Sequence, residues 1–255
     1  HRRVSLQWFQ QQHVDAGRKW VDALNIIPAF FTIAVFPVVS RLAAEDRVGL
    51  RRSYRLSVKL LTMVALPTAV LVTLLAHELV GLLSGREFLP HGAIALQILV
   101  WSILCGWINS LTNYVLIALD RQRQVLLASG ARVVFTVTAN LVCVGRFGYV
   151  ASAWILVGGE LLLTLLFYVD LRRQLGPVDW TQTLGRTGLA GLAMGMAVWA
   201  VSTINPPLAL LTGLTVYPVT LALLRAFTSQ EWETLSPLLP VRLREAALSR
   251  RISQP

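Results

Sequence analysis

The sequence predicts an all-α membrane protein, a polytopic bundle of about seven transmembrane helices. Three observations carry that expectation. Long apolar stretches, about seven of them, fill the 255 residues, and 55% of the residues are hydrophobic. The mean hydropathy of +0.61 is too high for a soluble domain of this length. Finally, arginine alternates between the gaps. The first gap holds Arg41, Arg47, Arg51, Arg52, Arg55 and Lys59, while the second, from Ser84 to Gly92, holds Arg86 alone. Arg121 and Arg123 follow, then Arg146 by itself, then Arg172, Arg173 and Arg186. The gap at Asn205-Pro206-Pro207 has no basic residue, and the C-terminal tail carries Arg242, Arg244, Arg250 and Arg251. Alternation of rich and poor gaps is the positive-inside pattern of a multi-pass membrane protein.

Each apolar stretch is long enough for a span, since a hydrocarbon core of about 30 Å takes about 20 helical residues to cross. The first helix is expected at about 14–43, kinked by Pro28 and Pro37, because proline removes a backbone donor inside a helix. The second covers about 56–83 and bends at Pro67; the third covers about 93–119. The fourth and fifth, about 125–144 and 149–171, are joined by a short turn at Gly145 and Gly148 and so become antiparallel neighbours. The sixth spans about 187–204 and the seventh about 208–227. Four regions result: a polar, Gln-rich segment 1–13, core helices in 14–175, two further helices in 176–227, and a tail 228–255. In the tail, Trp232, Leu235, Leu238 and Leu239 precede the four arginines, a composition suited to the anionic inner leaflet.

Charge bias puts the gaps after the first, third and fifth helices in the cytoplasm, together with the C-terminus. The first helix then runs inward and would leave Arg2, Arg3, Arg18 and Lys19 outside with no preceding span. A helix before the first one would resolve that conflict, so an incomplete chain is expected. His1-Arg2-Arg3 leads into Ser5, Gln7 and Gln10 to Gln12 rather than an apolar signal core. The net charge of +10 is explained by loop arginines, without nucleic acid as a partner, for no basic patch is interleaved with aromatics. Cys105 and Cys143 lie inside apolar segments and form neither metal-type spacing nor a disulfide framework.

The stretch Trp20-Val-Asp-Ala-Leu-Asn-Ile-Ile-Pro28, followed by Phe36-Pro37-Val-Val-Ser40-Arg41, resembles the second helix of the C-terminal lobe of polysaccharide flippases, the Wzx-like members of the MATE/MOP exporter superfamily. Leu66-Pro67, Leu83-Ser-Gly85, Ala118-Leu-Asp-Arg121, Asn140-Leu141, Gly145, Gly148, Ala153 and Glu160 continue the resemblance in order over about 14–175. The last two helices are similar to the additional pair of fourteen-helix members. The resemblance implies the C-terminal half of a two-lobe MOP-type transporter working by alternating access. It implies an undecaprenyl-pyrophosphate-linked oligosaccharide as substrate, the lipid bilayer and the missing N-terminal lobe as partners, and a bacterial inner-membrane location. The segment 1–13 departs from that pattern.

Ionisable groups at membrane depth usually face a cavity or each other. Ser129, Arg132, Thr136 and Asn140 share one face of the fourth helix by their spacing. Arg132 is read either as snorkelling to the headgroups or as a cationic lining for the lipid pyrophosphate. Ser102, Gly106, Asn109 and Asn113 share a face of the third helix, either lining a wet cavity or bonding between packed helices. Asp15, Arg18, Asp22, Asn25 and Thr32 form a stripe on the first helix, where Arg18 and Asp22 can pair four residues apart. Glu160, the deepest acid, is the ion-coupling candidate; its plainer reading is a buried bond to the fourth-helix stripe. His77-Glu78 opens like a zinc-protease motif, but Gly81 stands where the second ligand would be. Gly191 and Gly195, with Gly185 and Gly188, give the sixth helix a smooth face for packing.

These residues specify no catalytic constellation, metal or cofactor. Transport of a lipid-linked oligosaccharide is therefore the expected function, and not an enzymatic one. A multidrug or cation antiporter of the same superfamily would favour an acid-rich cavity. A membrane-embedded glycan-processing enzyme would favour a long outer loop or a His/Asp site at a helix mouth.

Overall fold

The computed structural model describes residues 17–83, 86–177, 180–202 and 206–224. The segment 1–13, Asp15 and the tail 228–255 lie outside the described residues. Helix α1 runs over Gly17–Glu45. It is interrupted at Asn25, whose N–H is shared between the carbonyls of Val21 (3.1 Å) and Asp22 (3.2 Å). The buried face continues through it over Val21, Pro28, Thr32, Val39 and Ala43, and the expected polar stripe divides across its width. Arg18 and Asp22 are exposed, while Thr32 is buried with Pro28, Val39 and Ala43.

Helix α2 spans Arg47–Leu74, with the Asp46 side chain accepting from the Val48 N–H at 3.0 Å as its cap. Its start corrects the sequence reading, which placed Arg47 to Arg55 in a loop and began the helix near residue 56. Arginine and lysine are good helix formers, and a helix that overshoots the bilayer carries its charge on its projecting turns. Its 28 residues make about 42 Å, longer than the roughly 30 Å core. Leu50, Tyr54, Val58, Leu61, Ala65, Ala69 and Val72 form its buried face at helical spacing. Lys59 lies on the inner side too, only 4% exposed. Pro67 is accommodated inside α2, and the break comes instead at Leu75 (φ −101°, ψ 15°). Helix α3, Ala76–Leu83, and a 3-10 turn, Arg86–Phe88, lead into α4, His91–Ala118.

From Gln122 to Leu175 the helical run is 54 residues, which would stretch to about 81 Å if straight. It does not run straight: Gly148 takes φ 64°, ψ −150°, a region that only glycine enters readily. The two halves fold back on one another. Ser152 donates to Asn140 at 3.0 Å, a Cβ on Gly159 would lie 3.2 Å from Thr136 Oγ1, and Arg132 meets Glu160 at 2.6 Å. These halves, 122–147 and 149–175, are α5 and α6, the expected antiparallel pair. Helix α7, Trp180–Ser202, begins earlier than expected, and α8 covers Pro206–Leu223. Together they enclose a small core of Ala190, Met194, Val198, Ala209 and Tyr217 that leans on Val70, Leu71 and Leu74 of α2. Gly191 lets α7 approach Leu66, with whose Cδ2 an added Cβ would clash, while a Cβ on Gly195 would meet Val70 in ordinary contact at 3.6 Å. Gly185 and Gly188 have nothing nearby, so only half of the small-residue face is used.

Counting α5 and α6 separately, and adding the shorter apolar helix Leu208–Leu223, gives seven helices that suit membrane spans. The fold is all-α, as expected, and the chain is a multi-pass membrane protein. Its arginine-rich gaps share one end of the bundle. There Arg51 Nη2 donates to the Pro177 carbonyl, and Arg121 donates to Asp170 at 2.9 and 3.3 Å. Donating to Asp170 raises the Arg121 guanidinium further above its ordinary value. His91 and Tyr149 meet at the arginine-poor end, 3.1 Å apart. The outward faces are apolar, with Leu126 72% and Leu141 81% exposed, which suits lipid contact.

The Gly148 turn yields a direct test. Gly148→Ala should lower stability by about 1–3 kcal/mol, whereas Gly145→Ala, where nothing lies within 4 Å of the added Cβ, should be tolerated. Detergent-resistant folded fraction, measured for both variants, checks this; equal behaviour would refute a strained turn.

Candidate functional site

Three helices bring their polar residues to one point within the bundle. Arg132 lies ten residues into α5, about 15 Å along its axis, so its head is below the interface. Its Nη2 sits 2.6 Å from Glu160 Oε1 on α6. The other carboxylate oxygen, Oε2, accepts from Asn109 Nδ2 of α4 at 2.8 Å, and the same amide reaches the Glu160 carbonyl at 3.0 Å. Thr164, one turn beyond Glu160, donates towards Asn109 Oδ1 (2.9 Å) and its own i−4 carbonyl (2.8 Å). The Glu160 side chain is 16% exposed and that of Arg132 36%. Glycines flank the pair: a Cβ on Gly106 would lie in ordinary contact with the Glu160 carboxylate at 3.7 Å, and one on Gly159 would lie 3.6 Å from Arg132 Cγ.

In hydrocarbon an isolated charged side chain costs about 2.5–3.5 kcal/mol on insertion scales. Pairing removes most of that penalty, and the Asn109 amide fills the lone pairs left on the carboxylate. The cluster therefore holds two charges at mid-depth with no net charge. Chemically it can present a guanidinium to an anion, or a carboxylate to a proton or cation.

The remaining expected residues are dispersed. Asn140 is consumed within the α5–α6 hairpin: Nδ2 donates to the Thr136 carbonyl at 2.7 Å and Oδ1 accepts from Ser152. Asn113 shares the Asn109 face, and its buried Oδ1 has no hydrogen-bond partner. Ser102 donates to the Leu99 carbonyl of its own helix at 2.6 Å. On α1, Asn25 accepts from Trp107 Nε1 at 3.1 Å, and Arg18 and Asp22 form an exposed pair at 3.8 Å. Sequence reasoning missed the Arg121–Asp170 tie and the buried Tyr54–Thr112 bond (2.9 Å). Asp170 carried a signal, being an acid at the end of an apolar helix, two residues before Arg172.

If the pair stabilises the junction, a double-mutant cycle on Arg132→Ala and Glu160→Ala will show coupling. Each single substitution leaves one charge alone, so the double variant should be less destabilised than the sum, with about 0.5–3 kcal/mol of interaction. Thermal inactivation in detergent reads the effect; strict additivity would mean the contact contributes nothing to stability.

Residues 20–142 match the MatE family model, which covers α1 to most of α5. No curated protein matches the sequence. Among solved structures, the fold is similar to the lipid II flippase MurJ in an inward closed conformation, with a TM-score of 0.70 at 12% identity. The likeness covers 84% of this chain and 47% of that one, so the chain spans about half the length of its structural relative. The chain is thus similar to the MatE family over residues 20–142, and similar in fold to about half of MurJ.

Proposed function

We propose that this chain forms one lobe of a flippase that carries a lipid-linked oligosaccharide, of the undecaprenyl-pyrophosphate type, across a bacterial inner membrane. The observation that carries the reading is the Arg132 guanidinium, held at membrane depth by Glu160 yet still partly open. A guanidinium presents a planar fork that suits phosphate oxygens. The MatE match and the likeness to a lipid II flippase support transport of a lipid-borne substrate. The rival antiporter reading favours several acids in the cavity, whereas the acid in this cluster is paired one-to-one with arginine.

In this reading the opposite cavity wall comes from an N-terminal lobe packed against α1. Its support is the α1 surface, where Ile26, Phe30 and Ile33 are exposed beside the Arg18–Asp22 pair. The arginine-rich end, with the C-terminus, faces the cytoplasm. Asn113, Asn140 and Asn25 are secondary pathway candidates, and Glu160 is the candidate for ion coupling.

In cells whose glycan export depends on this protein, Arg132→Ala should abolish export, and Arg132→Lys should retain part of it, since lysine keeps the charge but not the fork. Normal export by Arg132→Ala at unchanged protein level would sink the assignment. Orientation is tested after removing Cys105 and Cys143. A cysteine at Arg146 should react with an impermeant thiol reagent in intact cells and one at Arg123 should be protected; the reverse pattern would invert the topology.

A further inference from the structure

The ion pair is asymmetric. Glu160 is anchored independently of its charge partner, because Asn109 holds both its Oε2 and its backbone carbonyl. Arg132, by contrast, meets the Glu160 Oε1 through Nη2 at 2.6 Å, and its side chain is more than twice as exposed. If the contact is released, the carboxylate stays in place and the guanidinium is the group that moves. The order of release is set by electrostatics. An anion approaching Arg132 while Glu160 is ionised would gather two negative charges around one positive charge in a low-dielectric setting, where such an excess is costly. A proton on Glu160 removes that excess. Oε2 is occupied as an acceptor from Asn109, so the proton belongs on Oε1, where an O–H would face the Arg132 N–H donor.

We propose that Glu160 is the resident counter-ion of Arg132, and that a tetrahedral oxyanion replaces it only as Glu160 takes up a proton. The proposal rests on the reading of Arg132 as an anion site and adds its regulation. The neutral pair becomes a neutral set again: one guanidinium, one carboxylic acid and one charge of the incoming oxyanion, with no bond other than O–H made or broken. The ionisable groups beside Glu160 are Arg132 on α5 and Cys105 on α4. His91 and Tyr149 lie at the start of α4 and α6, eleven residues from Glu160 on the α6 side, about 16 Å away. Arg51 of α2 is at the opposite end, beside Gly176 and Pro177. Among the described residues, the proton therefore has one carboxylate to occupy at this site.

By linkage, anion binding must then raise proton occupancy, and acid must raise anion affinity by the same factor. The test uses the full chain in lipid nanodiscs and inorganic sulfate, a probe whose charge is constant between about pH 5.5 and about pH 8. Calorimetry in two buffers of different ionisation enthalpy reads affinity and proton uptake together. Wild type should bind about tenfold tighter at the acid pH, within the usual range for linked ligands, and should take up protons on binding. Glu160→Gln, which keeps an acceptor for Asn109, should bind at the acid-like affinity at both pH values with no uptake. Glu160→Asp shortens the arm, so it should bind tighter than wild type at the higher pH and keep its proton uptake. Arg132→Ala should not bind. Loss of binding in Arg132→Ala without tighter binding in Glu160→Gln or Glu160→Asp would overturn the exchange while leaving the anion site intact. Wild-type affinity in Arg132→Ala, or no binding by wild type at the acid pH, would overturn the anion site and the exchange together.

Discussion

Hydrocarbon supplies no partner for a charge or a free backbone group, so each polar atom at membrane depth must find one inside the protein. The junction of α4, α5 and α6 is organised around that constraint. Arg132 and Glu160 reach each other across 2.6 Å only if α5 folds back on α6 in one register. That register is set at Gly148, whose φ of 64° turns the chain, and by Gly159, where an added Cβ would press on Thr136 Oγ1 at 3.2 Å. Asn109 then fastens α4 to the same point. Removing any one of these would leave a buried donor, acceptor or charge without its complement.

The interfacial end follows a different logic. Water and headgroups can solvate charge there, so arginines are plentiful and ties are fewer. Two contacts bind that end across long sequence distances: Arg121 with Asp170, and Arg51 with the Pro177 carbonyl. The first joins the α4–α5 turn to the last turns of α6, and the second joins the projecting part of α2 to the chain beyond α6. Because α2 overshoots the bilayer, its arginines stand on a helix rather than a loop, which keeps Arg51 in fixed register with that carbonyl.

The helices divide likewise by what they bury. Helices α2 and α4 carry most of the core, including Tyr54 and Trp107, and both of those spend their polar atoms on neighbours, Thr112 and Asn25. Helix α5 buries little besides Ala128 and turns its leucines and valines outward. Helices α7 and α8 form an attached pair seated on α2 through glycine contacts, with a small core of their own. The helix with the smallest buried face is α5, and it carries Arg132.

Sequence alone indicated about seven spans, the antiparallel α5–α6 turn and the shared end of the gaps that hold Arg51 and Arg121. Hydropathy and charge act locally, so twenty apolar residues or a glycine turn announce themselves without a neighbour. The same local signals misplaced the start of α2, because charged residues that favour helix look like loop when hydropathy is the criterion. Tertiary structure decided which polar residues meet. Arg132 and Glu160 are 28 positions apart, and Asn109 and Glu160 are 51 apart, so no helical periodicity connects them. It also separated Thr32, buried with Pro28 and Val39, from Arg18 and Asp22, which stay exposed. A face drawn from spacing does not say which of its edges a neighbouring helix covers. The partner of each charge depends on how helices pack, and packing is settled by the whole bundle.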